Sequence, residues 1–440
     1  MNTNLHVALL AGGESTRFWP LSSKNEMVFL GKPLLLWHFE QLQRIGFSTI
    51  TVVVNAENEE TIKCIVPPKE LQVTYVIQQG QGQGEAVKAL APVIGSSPVL
   101  ILNASDYYAD NFLLSYKKHI DKSDGVAILG AVHTDDYFPG GYLTVNESGL
   151  VTKIIEKPTP GTEPSTIVRI NADYFPDCSA ITNAVEKISA DPKNAYEEAM
   201  NALIKNNMVF QVEITPMNSW HHLKYPWDTL SMMDVFLSTL TKKNIHKSVV
   251  IKNHVTIEGS VIIEEGVKIF EGSKIVGPVY IGKNTIVGNN NIIRSSMIGS
   301  DCVTGFNTDI TRSYIGHNCW FHSNYIGDSV LGDDISLGSG AVLANLRLDD
   351  GEISSVVKKE KIQTGKNKLG AIIGSHVRIG VNASIMPGIK IGSGSFIGSG
   401  VILDKDIADK QFCVGTPSSY TVKANTAVPA ASREAFRKGL

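Results

Sequence analysis

No two cysteines in this chain are spaced as C-x-x-C, and its five cysteines (Cys64, Cys178, Cys302, Cys319 and Cys413) are scattered and odd in number. That pattern argues against a zinc site and for a reducing compartment in which the thiols serve as small hydrophobes, so a cytoplasmic location is expected. Long apolar runs are missing as well. None reaches the ~18 residues of a membrane span, and the N-terminus enters the short run Val7–Leu10 directly, so neither secretion nor membrane insertion is expected. Charge of one sign is not in excess: 40 basic against 43 acidic residues leave a net charge of −3, which argues against a nucleic-acid partner but leaves room for a local phosphate pocket. With 43% apolar and 19% charged residues over 440 positions, the chain lacks the composition of disorder and is too long for one ordinary core. Two domains are expected.

What is present in the second half is a repeat. Aliphatic residues recur at six-residue steps as Ile251, Ile257, Ile263, Ile269, Ile275, Ile281, Val287 and Ile293. The series continues with occasional five-residue steps through Ile298, Ile310, Ile315, Ile326, Leu331, Leu337 and Leu343, then returns to strict phase at Ile373, Ile379, Ile385, Ile391, Ile397 and Leu403. Neither a helix period of 3.6 nor strand alternation of 2 produces this phase alone. A triangular coil with a short strand and a turn on each side does, with every aliphatic residue pointing into the prism and stacking on its counterpart one coil away. The charged segment Asn345–Lys368 interrupts the repeat, either as a solvated excursion or as a loop that covers a ligand.

The first half opens on a buried strand, Leu5–Leu10, that runs into Ala11-Gly12-Gly13-Glu14-Ser15-Thr16-Arg17. Peptide N–H groups of a Gly-rich turn converge on an anion and a nearby guanidinium neutralises it, so this segment suits a polyphosphate. It is neither a P-loop nor a dinucleotide fingerprint. Further strands at Ile50–Val54, Thr74–Ile77 and Val99–Leu102 alternate with helical patterns at Leu34–Arg44 and Glu85–Leu90, which predicts an α/β domain with a mostly parallel, Rossmann-like sheet. Asp106 is expected at the C-terminal end of the strand beginning at Val99, where open sheets bind ligands; it is a candidate Mg²⁺ (or Mn²⁺) ligand or a turn-forming residue.

These residues resemble the sugar-1-phosphate nucleotidyltransferase family, whose opening pattern stands here as Leu10-Ala11-Gly12-Gly13-Glu14-Ser15-Thr16-Arg17-Phe18-Trp19-Pro20-Leu21, then Lys24 and Gly31-Lys32-Pro33, with Ser15 in place of a glycine. Gln78-Gln79 and Gly82–Ala86 resemble the family's base-recognition segment, Gly141-Tyr142 and Glu156-Lys157-Pro158 its sugar-binding segments, and Asn171 its sugar-binding asparagine. The resemblance implies that Arg17 and Lys24 hold nucleotide phosphates and that Glu156, Lys157 and Asn171 hold a sugar phosphate. The last element, Trp220–Asp228, places His222 at the usual second metal-ligand position, with Asp228 as the other candidate. Imidazole is a poor ligand for Mg²⁺, which prefers oxygen.

The second half resembles the acetyltransferase domain of bifunctional N-acetylglucosamine-1-phosphate uridyltransferase/glucosamine-1-phosphate acetyltransferases, the archaeal relatives in particular. It does so through His322–Asp328, Ala344–Arg347 and Lys368–Gly374. That resemblance implies a left-handed parallel β-helix, His322 as general base, and Tyr325, Asn345 and Lys368 binding the amino sugar phosphate. It also implies acetyl-CoA as co-substrate and a homotrimer with acyl sites at its seams. The expected organisation is a nucleotidyltransferase domain over residues 1–240, an acetyltransferase β-helix over 250–425 and a C-terminal tail over 426–440. The same architecture also suits a nucleotidyltransferase for another sugar 1-phosphate with dTTP or UTP, or a non-catalytic regulatory or assembly subunit.

Overall fold

The computed structural model describes residues 5–188 and 194–415. The chain forms two compact units: one holds the residues up to Glu14, Asn25–Met27 and Lys32–His222, the other Ser15–Lys24, Val28–Gly31 and the chain from Leu223 onward. The expected tail, 426–440, lies outside the described residues.

The first unit is built on a nine-stranded sheet. Its centre is a parallel set in the order Val99–Asn103, His6–Leu10, Thr49–Val54 and Gln72–Ile77. Strands buried on both faces read as continuous apolar runs, and Val7–Leu10 and Leu100–Leu102 do so here. Ile167–Phe175 joins Val99–Asn103 antiparallel and carries the rest of the sheet: Gly141–Val145 with Val151–Glu156 on one side, Ala127–His133 with Phe210–Thr215 on the other. The helix Leu34–Ile45 buries Leu35, Phe39 and Leu42, spaced to share one face, and so covers one side of the sheet.

In the second unit the six-residue phase becomes three stacks. Ile257, Ile275, Ile293, Ile310, Ile326, Leu343, Ile385 and Leu403 are successive partners along one parallel ladder. Ile263, Ile281, Ile298, Ile315, Leu331, Ile373 and Ile391 form the second. Ile251, Ile269 and Val287 begin the third, which resumes as Leu337, Ile379 and Ile397. Nearly all are fully buried; Ile251, in the first coil and at the open end of the stack, is 44% exposed. A second inward position lies two residues before each aliphatic one; it is filled by further aliphatics such as Val261, Val267, Val279 and Ile335 or by small and polar side chains. Ser273, Thr285 and Asn291 there bond to the carbonyls of Gly288, Gly299 and Gly305, and Cys302 and Cys319 fill the same column as small buried residues.

The structure adds detail to the sequence reading in three places. Asp106 does not end the strand Val99–Asn103; after a turn it opens a short strand, Asp106–Tyr108, paired antiparallel with Trp220–His222. The Asn345–Lys368 segment contains an antiparallel hairpin, Ile353–Val357 with Glu360–Lys366, anchored by buried Ile353 and a bond from Ser355 Oγ to the Gly388 carbonyl (3.4 Å). The units divide at His222/Leu223, earlier than residue 240, because the helix Asp228–Ser238 packs within the second unit, with Phe236 stacked on Phe29 at 4.9 Å.

Candidate active sites in the two halves

In the first unit the Gly-rich turn is held by three amides. Asn25 and Asn58 donate to the Ala11 carbonyl and Asn55 to the Gly12 carbonyl (2.9–3.0 Å), so the turn leaves the sheet with its carbonyls engaged. These asparagines carried no sequence signal, because only the fold brings them to residues 11–12. A Cβ on Gly12 would sit 2.7 Å from Cδ of Gln78, so the missing side chain is what lets Gln78 lie against the turn. Gly13 faces open space and is exposed. Gly82 begins the short helix Gln83–Lys88, and Gln83 Nε2 donates to Asn171 Oδ1 at 3.3 Å.

Gly141 and Glu156 are direct partners across their antiparallel pair, and Glu156 forms an ion pair with Lys157. Behind Asn171 the same strand supplies a buried network: Arg169 donates to Asp173 and to Glu197, both at 2.6 Å, and Tyr196 donates to Asp173 at 3.0 Å. Burial pushes the Asp173 and Glu197 carboxyls up despite the guanidinium, while the two carboxylates raise Arg169. Predicted residues 12, 78, 82, 141, 156, 157 and 171 therefore sit on one sheet and its adjoining turns, with contacts between Gly12 and Gln78 and between Glu156 and both Gly141 and Lys157.

Asp106 is buried and its Oδ2 accepts the Trp220 indole N–H at 2.9 Å; His222 is its partner across the strand pair. The His222 ring stacks on Trp220 at 5.0 Å and meets Phe138 edge-on at 5.7 Å. Asp106 fits a Mg²⁺ that takes one carboxylate and completes its shell with water and phosphate oxygens; an imidazole does not fit the oxygen preference of that ion. Asp228 is spent locally, its Oδ2 accepting the backbone N–H groups of Lys224 and Tyr225 at 2.8 and 2.7 Å. Among the described residues there is no group of three or more His, Cys, Asp or Glu side chains that could hold a metal.

Arg17 and Lys24 belong to the second unit. Arg17 is exposed, and Lys24 Nζ lies 5.8 Å from the centre of the Phe18 ring.

Of the predicted acetyltransferase residues, Tyr325 and Asn345 gather beside an aspartate. Asp328 accepts a two-pronged contact from Arg312, with Nε at 2.7 Å and Nη2 at 2.8 Å, and a third bond from Asn345 Nδ2 at 2.5 Å. A Cβ on Gly327 would lie 2.6 Å from the Tyr325 hydroxyl and 2.7 Å from Asn345 Nδ2, so both side chains converge over this glycine. Burial, then the Asp328 charge, push the Tyr325 phenol up and keep it protonated as a donor. Lys368 is half-buried and reaches the cluster through its backbone bridge to Leu346, beside Asn345.

His322, three residues before Tyr325, is exposed, with its backbone fixed by Asn324 Oδ1 (2.8 Å) and Thr308 Oγ1 (2.5 Å). No hydrogen bond joins its imidazole to the Asp328 cluster among the described residues. Arg312 escaped the sequence reading; in the structure it stands at a coil corner with φ of 47°, where Gly and Asn are usual, and the only available signal was a cation at that point of the repeat.

An α/β unit with a Gly-rich turn and a hexapeptide prism with a polar cluster on its flank define a nucleotidyltransferase joined to a hexapeptide-type transferase. Residues 7–221 match the nucleotidyl transferase family model, and residues 370–405 match the bacterial transferase hexapeptide model of six repeats, the left-handed parallel β-helix. The chain is 30% identical over 418 residues to a bifunctional sugar-1-phosphate nucleotidylyltransferase/acetyltransferase of Sulfurisphaera tokodaii, covering 92% of this chain and 98% of that protein. It is 30% identical to the bifunctional protein GlmU of Methanococcus vannielii (93% and 97% covered) and 29% identical to that of Methanocaldococcus jannaschii (93% and 97%). The chain belongs to this family of bifunctional sugar-1-phosphate nucleotidylyltransferase/acetyltransferases. No helix among the described residues is long and apolar enough to cross a membrane.

Proposed function

We propose that the chain acetylates glucosamine-1-phosphate with acetyl-CoA and then couples the N-acetylglucosamine-1-phosphate so formed with UTP, giving UDP-N-acetylglucosamine and pyrophosphate. The observation that carries the reading is the convergence of Tyr325, Asn345 and Asp328 on the coil that also bears His322.

For acetyl transfer the sugar ammonium must first lose a proton, and imidazole is suited to take it near neutral pH; His322, exposed and with its backbone fixed, has that role. The freed nitrogen attacks the thioester carbon, a C–N bond forms, the C–S bond breaks, and the proton held on the imidazole balances the departing thiolate. Tyr325 and Asn345 orient the amino sugar as hydrogen-bond donors, and Lys368 neutralises its phosphate.

For nucleotidyl transfer a phosphate oxygen of the sugar attacks the α-phosphorus of the triphosphate, the new P–O bond forms and pyrophosphate leaves. Arg17, Lys24 and the Gly12-Gly13 turn hold the triphosphate, Gln78 and Gly82 the base, and Gly141, Glu156, Lys157 and Asn171 the sugar phosphate. Catalysis of this step is positioning and charge stabilisation rather than covalent chemistry. Asp106 would hold a Mg²⁺ ion, whose charge would offset that of the triphosphate. Residues 1–240 and 250–425 are the proposed functional domains. A cytoplasmic homotrimer is part of the same proposal, supported by Trp320, Phe396 and Phe412, which line one outer ladder at 53%, 49% and 68% exposure.

The test is to incubate the purified protein with glucosamine-1-phosphate, acetyl-CoA, UTP and Mg²⁺, following free thiol and pyrophosphate separately. Parallel reactions with glucose-1-phosphate and dTTP distinguish another sugar nucleotide as product. Absence of both signals across the panel would contradict the proposal.

A further inference from the structure

In a short prism strand one residue points into the core and its neighbour points out. On one face of the prism the outward ladder is Tyr280, Met297, Tyr314, Val330, Ile372 and Lys390, each the direct partner of the next. All six are buried, with exposures from 0 to 7%, whereas outward residues on the other two faces include Ile292 at 42%, Ile402 at 72% and Phe412 at 68%. Within the second unit, what covers this face includes the two segments that interrupt the first unit, Ser15–Lys24 and Val28–Gly31. Phe29 lies against Tyr314 (5.8 Å between ring centres), the Val28 N–H donates to the Tyr314 hydroxyl at 3.3 Å, and Gly31 sits directly beneath the Tyr280 hydroxyl.

The other segment is held at Trp19, two residues after Arg17. Its indole N–H donates to Asp409 Oδ1 at 3.1 Å, and Lys390 Nζ lies 5.5 Å from the ring centre. Lys390 is itself fixed: its side chain is 1% exposed and ion-paired to Asp406 at 3.1 Å, and it donates to Ser355 Oγ at 3.2 Å and to the Val356 carbonyl. A buried ammonium locked by three oxygens is a rigid cationic platform for an aromatic ring, and the ring in turn fixes the backbone that carries Arg17.

We infer that Trp19, seated on Lys390 and Asp409 of the β-helix, is a positioning residue for nucleotidyl transfer: it holds the Arg17–Lys24 loop, so the first activity depends on the last coils of the prism. This rests on the proposed nucleotidyl activity. Because Trp19 touches no reacting group, its loss lowers kcat through misplacement of Arg17 and not through loss of a ligand contact; a displacement of about 1 Å costs on the order of 100-fold.

The experiment uses the full chain with Trp19→Ala and Trp19→Phe. Trp19→Ala is expected to lower nucleotidyl kcat by about 30–100-fold, to change KM for the triphosphate less than about threefold and to leave acetyl transfer at the wild-type rate. Trp19→Phe, which keeps a ring over Lys390, restores most of kcat. Independently of activity, trypsin should cut after Arg17 and Lys24 about tenfold faster in folded Trp19→Ala than in wild type. Wild-type nucleotidyl kcat in Trp19→Ala, equal loss of both activities, or unchanged cleavage overturns the inference. A wild-type protein silent in nucleotidyl transfer overturns the activity reading, while the cleavage rates still decide whether Trp19 anchors the loop.

Discussion

Replacing Asp328 with alanine removes the acceptor that joins Arg312 to Asn345. The carboxylate side chain is 9% exposed and the guanidinium 35%, so the pair lies between a surface ion pair, worth about 0–1 kcal/mol, and a fully buried one, whose disruption costs about 3–5 kcal/mol. Water can reach the stranded guanidinium from its open side, which brings the expected loss of stability down to about 2 kcal/mol. Function is hit separately. Asn345 loses its 2.5 Å bond to Asp328, and with it the anchor that turns its side chain toward Tyr325 over Gly327. Loss of one charge-assisted hydrogen bond is worth about 1.5–3 kcal/mol, so kcat/KM for acetyl transfer should fall about 10–100-fold. Chemical denaturation and thiol release from acetyl-CoA measure the two effects. Adding Arg312→Ala removes the stranded charge, so the double variant should regain stability without regaining acetyl transfer. An Asp328→Ala protein with wild-type acetyl kcat/KM, or a double variant that recovers both properties together, would refute the reasoning.

Two further predictions concern buried titratable groups. His38 is fully buried, neither ring nitrogen makes a well-formed hydrogen bond, and burial lowers its pKa from 6.5 to about 4, with the backbone at Asp106 and Ala104 pulling the other way. The unfolded chain therefore takes up a proton that the folded chain refuses: stability is full above pH 6.5 and declines as pH falls toward 4, by about 3 kcal/mol in all. A His38→Leu variant should show a flatter stability profile over that window in urea titrations, and an unchanged slope would exclude His38 as the cause. Burial likewise pushes the Cys178 thiol up to about 12, so the folded state holds a proton that the unfolded state releases above pH 9, and stability is lost as pH rises from there. At pH 8.5 iodoacetamide should label exposed Cys64 and leave buried Cys178, Cys302 and Cys319 unmodified until denaturant is added; rapid labelling of Cys178 in the folded protein would contradict its placement.

The prism was legible because its period comes from the fold itself: every sixth residue must fill the interior, and no other architecture asks for that spacing. The parallel sheet was legible for the same reason, since strands covered on both faces read as apolar runs. What escaped depends on contacts between residues distant in sequence. Asn25, Asn55 and Asn58 converge on Ala11 and Gly12 only after folding, and Arg312 reaches Asp328 one coil away. The covered outer ladder from Tyr280 to Lys390 was also hidden, because strands of two or three residues are too short to reveal which of their neighbours faces solvent. Asp106 was expected to end the strand Val99–Asn103 and instead opens one of its own, since a two-residue turn before a three-residue strand has no periodic signature.

The central claim, two chemistries in one chain with His322 serving only the second half, is tested most directly by His322→Ala given each sugar in turn. The variant should form UDP-N-acetylglucosamine from UTP and N-acetylglucosamine-1-phosphate at the wild-type rate, and none from UTP, acetyl-CoA and glucosamine-1-phosphate, as read by mass spectrometry of the product. Acetylated product from glucosamine-1-phosphate at the normal rate would contradict the role of His322, and failure with both sugars would contradict the independence of the two chemistries.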